Sequence, residues 1–232
     1  MSKKAVVLSS GGVDSTTCLG IAVEELGNEN VTTVSITYGQ KHLKEIECAK
    51  NVSKFYKVDH RELDLTDIFK DSNCALLINS TEEIPEGSYA SQINKKDNGM
   101  VNTYVPFRNG LMLAAAASLA VSLYPDDDVY IYIGAHADDA AGNAYADCSP
   151  EFTDAMNTAI NLGTYGKVAI KAPLVNMTKA DVVKKGLEIG VPYELTWSCY
   201  NGKDEPCGVC GTCIDRAKAF AANGVLDPIL RR

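Results

Sequence analysis

Ala5-Val6-Val7-Leu8-Ser9-Ser10-Gly11-Gly12-Val13-Asp14-Ser15 is the stretch that decides the fold. Residues 4–9 are a short apolar run and read as a buried strand. A polar, glycine-rich turn follows at once. Ser15 to Leu26 then places Leu19, Ala22, Val23 and Leu26 on one helical face, and Gly27-Asn28 stops it. Strand, glycine turn and helix together make an anion site. Adjacent glycines let backbone N–H groups approach an anion without a Cβ clash. The helix start adds unpaired N–H groups and the positive end of its dipole. Ser10 and Ser15 add hydroxyls, and Asp14 can cap the helix, face a magnesium ion, or do both. The spacing matches neither the Walker loop nor Gly-x-Gly-x-x-Gly.

Outward from this turn, strands and helices alternate. Val31 to Thr37 is a β-branched strand, and Lys44 to Tyr56 a helix with Ile46, Ala49, Val52 and Phe55 at helical spacing. Val58 to Leu63 reads as a third strand, Asn109 to Tyr124 as an apolar helix, and Val129 to Ile133 as a fourth strand. Glu151 to Leu162 is helical, Val168 to Ala172 a fifth strand, and Thr178 to Ile189 a helix opened by a near capping box with Asp181. Residues 70–104 are polar apart from Ala75-Leu76-Leu77-Ile78 and read as a long loop with a brief helical turn. Such alternation implies a parallel sheet with helices on both faces, a Rossmann-like α/β fold.

The tail is of another kind. Cys199, Cys207, Cys210 and Cys213 fall within fifteen positions, with Gly208 and Gly211 between them. Four thiolates at this spacing suit one tetrahedral zinc ion with no open position, a structural site; an iron–sulfur cluster fits the same spacing. A helix near Ile214 to Ala222 follows. The expected division is residues 1–195 as the nucleotide-binding domain and 196–232 as a zinc-binding appendage. Cys18, Cys48 and Cys74 read as buried apolar residues.

The 232 residues suffice for one full core plus an appendage, and 46% hydrophobic with 22% charged is ordinary for a globular protein. The net charge of −8 argues against a polyanionic partner. No run reaches the length of a membrane span and no leader is evident, so a cytoplasmic protein is expected.

The hexapeptide Ser10–Ser15 resembles the signature of the PP-loop ATP pyrophosphatases, whose adenine nucleotide alpha-hydrolase-like fold agrees with the alternation above. Tyr38-Gly39-Gln40-Lys41-His42, Val105-Pro106-Phe107-Arg108-Asn109-Gly110, Trp197-Ser198-Cys199-Tyr200, the Pro206–Cys213 knuckle and Arg216-Ala217-Lys218-Ala219-Phe220 narrow the resemblance to the 7-cyano-7-deazaguanine synthases of the queuosine pathway. It runs from about residue 4 to 222. One segment departs: Tyr145-Ala146-Asp147-Cys148-Ser149 stands where that family typically has Tyr-Pro-Asp-Cys-Arg, which removes an anion contact.

The resemblance implies an ATP-dependent ligase that turns 7-carboxy-7-deazaguanine and ammonia into the nitrile through adenylated acid and amide, releasing AMP and pyrophosphate. It implies ATP on Ser9, Ser10, Gly11, Gly12, Val13, Asp14, Ser15, Thr16 and Thr17, with Mg²⁺ near Asp14 and Asp139. Lys179 is then a phosphate contact, and Arg108 neutralises the carboxylate or α-phosphate. Tyr38 lies near the adenine, and Asp147 or Glu151 meets the base. A homodimer that binds no nucleic acid completes the expectation. The competing reading is another PP-loop ligase, such as a transfer-RNA thiolase, which needs an RNA-binding surface that this chain does not display.

Overall fold

The computed structural model describes residues 3–88, 92, 101–140 and 145–231. Its five strands, β1 (Lys3–Leu8), β2 (Val31–Thr37), β3 (Asp59–Asp64), β4 (Asp128–Tyr132) and β5 (Val168–Lys171), form one parallel sheet in the order β3-β2-β1-β4-β5. The strand read first in the sequence is thus the centre of the sheet. Ala5, Val6 and Val7 are wholly buried, because helices cover both faces there.

On one face, α1 (Val13–Leu26), α2 (Lys44–Tyr56), α6 (Lys179–Glu188) and α7 (Gly211–Ala222) enclose Ala5, Val7, Leu19, Ala22, Val52, Val182, Val183 and Phe220. On the other, α3 (Arg108–Leu123) and α5 (Pro150–Gly163) cover Val6, Val34, Ile131 and Val168. Small side chains at Ala116, Ala117 and Ala120 let α3 lie close to the strands. The C-terminal segment joins the first of these cores through Ala219 and Phe220. No helix among the described residues is long and apolar enough to cross a membrane.

The strand order reverses between β1 and β4. In open α/β sheets ligands sit beyond the carboxyl ends of the strands at such a switch point. The glycine turn lies there, between β1 and α1.

The elements agree closely with the sequence reading, with instructive exceptions. The first helix begins at Val13, two residues before its expected start, with Gly12 at the N-cap and no capping side chain. Asp14 therefore stands in the first turn and does not cap. Phe55 was placed on the buried stripe of α2 but is 52% exposed, stacked edge-on against Tyr56 at 5.1 Å. The capping box of α6 is present, with the Asp181 N–H on Thr178 Oγ1 and the Thr178 N–H on the Asp181 carboxylate. In the 70–104 loop, Lys41 N–H donates to Leu76 O and Ile78 N–H to Gly39 O, which seats Leu76 and Leu77 in a small cluster with Tyr38 and Phe69. Residues 89–91 and 93–100 of that loop lie outside the described residues. A short helix, α4 (Ala137–Ala140), had no counterpart in the reading.

Candidate active site

The turn after β1 is held from within and from behind. Ser10 N–H donates to Ser15 Oγ at 3.2 Å, the two seryl oxygens are 3.0 Å apart, and Gly12 N–H reaches Ser10 Oγ at 3.3 Å. Gly11 has φ +79° and lies against α2: a Cβ there would come 2.2 Å from Glu45 O. Its own carbonyl accepts the Trp197 N–H at 2.9 Å. Gly134, just beyond β4, presses on the far side, where a Cβ would fall 2.9 Å from the Asp14 backbone. Only glycines at 11 and 134 permit this approach. Ser9 Oγ is buried without a hydrogen bond among the described residues, a polar atom poised for a ligand.

Beside the turn stands a charge cluster. Lys179, the first residue of α6, brings Nζ to 2.6 Å from Asp14 Oδ2 and 3.4 Å from His136 Nε2, and His136 Nε2 lies 3.6 Å from Asp14 Oδ1. Burial opposes ionisation of Asp14, but the Lys179 ammonium and His136 outweigh it and hold the carboxyl below its ordinary range. Lys179 N–H donates to Asp138 Oδ2 at 2.7 Å, so the loop after β4 fixes the start of α6.

A cavity of about 240 Å³ opens from the turn. Ser9, Ser10, Gly12, Val13, Asp14, Ser15 and Lys179 line one end; Tyr38, Arg108 and Asp147 line the other. Arg108 opens α3, donates from Nη1 to Tyr38 Oη at 3.1 Å, and lies 5.1 Å from that ring's centroid. Asp147 is buried; its Oδ2 accepts the Asn109 N–H at 2.9 Å and its carbonyl accepts Asn109 Nδ2 at 3.1 Å. One carboxylate thereby ties the loop after β4 to the first turn of α3.

Four expected residues do not line the cavity. Gly11 supports the turn from the α2 side. Thr16 is fully buried in α1. Thr17, one turn into α1, donates to Val13 O and pairs with Tyr193 Oη at 2.7 Å, deep in the core. Glu151 is exposed on α5, where Ser149 caps the helix by accepting Phe152 N–H at 3.1 Å and Pro150 occupies the first turn. Position 149, where the family pattern has Arg, is thus a helix cap here. Asp139 belongs to α4, and its side chain lies outside the described residues.

The cavity also recruits residues that the sequence reading gave no role, among them Gln40, Glu45, Asn109 and Asp215. Gln40 Oε1 accepts the Tyr38 N–H at 2.8 Å and braces the turn after β2. Glu45 stands in the first turn of α2; burial pushes its carboxyl up to about 7, partly offset by Arg108. A Gly in the position of Gly134, directly after an apolar strand, was the available clue to a close backbone approach.

Next to this cavity the four expected cysteines converge, their sulfurs all within 4.8 Å of one another. A tetrahedral ion with bonds of about 2.3 Å needs sulfurs roughly 3.8 Å apart, and those of Cys207 and Cys213 are 4.0 Å apart. Backbone N–H groups of Cys207 and Cys210 point at the sulfurs of Cys199 and Cys207. The donor set fits a thiophilic metal ion. Trp197 links this centre to the turn: its indole N–H donates to Cys199 O at 2.8 Å, and Lys44 Nζ sits 3.8 Å over its ring. Arg216 locks the segment through a buried pair with Asp227 at 2.7 Å and a bond to Thr196 Oγ1 at 2.9 Å.

Comparison with known proteins agrees with this geometry. A family model described as "Queuosine biosynthesis protein QueC" matches residues 4–224. The 7-cyano-7-deazaguanine synthase of Archaeoglobus fulgidus is 43% identical over 98% of this chain and 90% of its own length. That of Caldicellulosiruptor saccharolyticus is 44% identical over 97% of this chain and 94% of its own. That of Marinomonas sp. is 40% identical over 99% and 98%. Among solved structures, the NMN synthetase of Francisella tularensis superposes with a TM-score of 0.49 at 13% identity over 97% of this chain and 77% of that one. The match to a family model over nearly the whole chain, and these identities at nearly full coverage on both sides, place it: the chain belongs to the QueC family of queuosine biosynthesis proteins.

Proposed function

We propose that this protein is an ATP-dependent ligase that converts 7-carboxy-7-deazaguanine and ammonia to 7-cyano-7-deazaguanine. The observation that carries the reading is one cavity shared by an anion-binding turn and an Arg108–Asp147 end. A carboxylate is a poor electrophile, so its oxygen attacks the ATP α-phosphorus and pyrophosphate leaves. Ammonia then displaces AMP to give the amide. A second ATP adenylates the amide oxygen, and loss of AMP leaves the nitrile. Catalysis of this kind is positioning and charge neutralisation.

The residues divide the work by place. N–H groups of the Ser9–Ser15 turn and the α1 start hold the departing pyrophosphate. Lys179 leaves its pair with Asp14 to meet phosphate oxygens, and Asp14 faces the Mg²⁺ that accompanies ATP. When bound, that ion supplies positive charge against the phosphates. Arg108 neutralises the substrate carboxylate. Asp147 has one oxygen on Asn109 and offers the other to the N–H edge of the base. The four thiolates hold Zn²⁺ in a structural role, with no position left for substrate. The protein works in the cytoplasm as a homodimer and needs no nucleic acid; its net charge of −8 supports the last point.

The test is mass spectrometry of a reaction with Mg-ATP, ammonium and 7-carboxy-7-deazaguanine. The expected products are the nitrile, AMP and pyrophosphate. AMP without nitrile, or no AMP from folded, metal-loaded protein, would refute the assignment.

A further inference from the structure

Amide formation needs neutral ammonia, yet ammonium is the form present near neutrality. Something in the cavity must attract the cation and take its proton. Among the described residues, four carboxylates line the space: Asp14, Glu45, Asp147 and Asp215. Asp14 is paired with Lys179 at 2.6 Å, and Asp147 is fastened to the Asn109 N–H. Asp215 lies at the pyrophosphate end, with Lys179, Lys218, Asp138 and His136 as its charged neighbours. Glu45 alone stands at the Arg108 end without a hydrogen bond or ion pair among the described residues; Arg108 and Tyr38 are its titratable neighbours.

Its position is fixed by the backbone. The Glu45 carbonyl abuts Gly11, so the first turn of α2 is pressed on the anion-binding turn. The neighbouring Lys44 donates to Lys203 O at 2.6 Å and Asp204 O at 2.9 Å, which pins the same turn from outside. The carboxyl therefore reaches the cavity between the phosphate turn and Arg108, where the activated carbon must lie on the reading above.

We propose that Glu45 receives ammonium in this cavity and removes one of its protons, a role that rests on the ligase reading. One N–H bond of ammonium breaks and its proton passes to the Glu45 carboxylate. The nitrogen lone pair forms the C–N bond to the acyl adenylate. The C–O bond to AMP breaks, the electron pair leaves with AMP, and the second proton passes to solvent. Partial burial keeps the carboxyl near neutrality in its proton affinity, as a base at working pH requires.

The experiment compares the unchanged protein with Glu45→Gln and Glu45→Asp. Acid-dependent ATP–pyrophosphate exchange without ammonium reads adenylation alone. In Glu45→Gln it should stay within about 3-fold, while amide and nitrile formation from ammonium falls by about 100-fold or more, the range usual for loss of a general base. Glu45→Asp should fall between. Hydroxylamine, which is neutral at pH 7, should give hydroxamate at near-normal rate in Glu45→Gln. Loss of exchange, equal loss with hydroxylamine, or full turnover with ammonium would each overturn the assignment to Glu45. If the unchanged protein shows exchange but never nitrile, or no exchange, the ligase reading itself fails.

Discussion

Gly11→Ala tests the geometry of the anion site most directly. The residue has φ +79°, and a Cβ would fall 2.2 Å from Glu45 O and 2.6 Å from Ala49 N. Both are backbone atoms of α2, so no rotamer change relieves the overlap. A left-handed φ costs a non-glycine residue about 1–2 kcal/mol. Overpacking against a fixed neighbour adds about 1–3 kcal/mol. A combined loss of about 3 kcal/mol lowers the melting temperature by roughly 6–12 °C in a chain of this size. Relief requires α2 to move off the turn, and a shift of ~1 Å in catalytic positioning costs on the order of 100-fold in rate. Gly12→Ala is the matched control. Its φ is −84°, and its Cβ would meet Ser10 Oγ at 3.3 Å and Trp197 O at 3.5 Å. That variant should melt within about 2 °C of the unchanged protein yet lose AMP formation, because the methyl group occupies the anion's approach. Calorimetry and acid-dependent ATP–pyrophosphate exchange read the two effects separately. A Gly11→Ala protein that melts with the unchanged one would refute the contact between α2 and the turn.

Other outcomes follow from the same geometry. Arg216→Ala leaves Asp227 buried and unpaired and should cost about 3–5 kcal/mol in urea denaturation; Arg216→Met with Asp227→Leu should cost far less, and equal losses would contradict this. Metal analysis should find about one zinc ion per folded chain, and Cys210→Ser should lose it with aggregation or unfolding; a metal-free, fully folded Cys210→Ser protein would count against the four-thiolate site. Asp14 is held below its ordinary value of 3.8 because Lys179 and His136 outweigh the effect of burial. A depressed carboxylate stabilises the fold above that value and loses its contribution as pH falls through the folded-state pKa. Stability of Asp14→Asn should therefore vary less in that acid window, and superimposable profiles would show that the pair contributes nothing.

Much of this fold was legible because its signals are local. The apolar run Ala5–Leu8, the glycine pair and the periodicity of Leu19 and Ala22 each lie within a few residues, and together they specify strand, turn and helix. The cysteine spacing was equally local. What escaped depends on contacts between distant segments. Glu45 shares the first turn of α2 with Glu47, and nothing in their spacing tells which one faces a cavity; the contact with Gly11 decides it. Thr17 adjoins the anion-binding turn in sequence, but one helical turn carries it to Tyr193. Glu151 adjoins Asp147, yet the cap at Ser149 starts a helix that leaves its side chain in solvent. In each case neighbourhood along the chain was a poor guide once a helix began.

The central place of β1 has a consequence for how the protein is made. Its pairing partner on one side, β2, is complete by residue 37; on the other, β4 begins only at Asp128. A ribosome adding about 5–20 residues per second needs several seconds or more to bridge that interval. Throughout it, the central strand, whose Ala5, Val6 and Val7 are wholly buried in the finished fold, carries a bare edge, the kind of edge that recruits other chains. Whatever holds nascent segments apart in the cell has its period of greatest demand in that interval, before the second half of the sheet closes over the first.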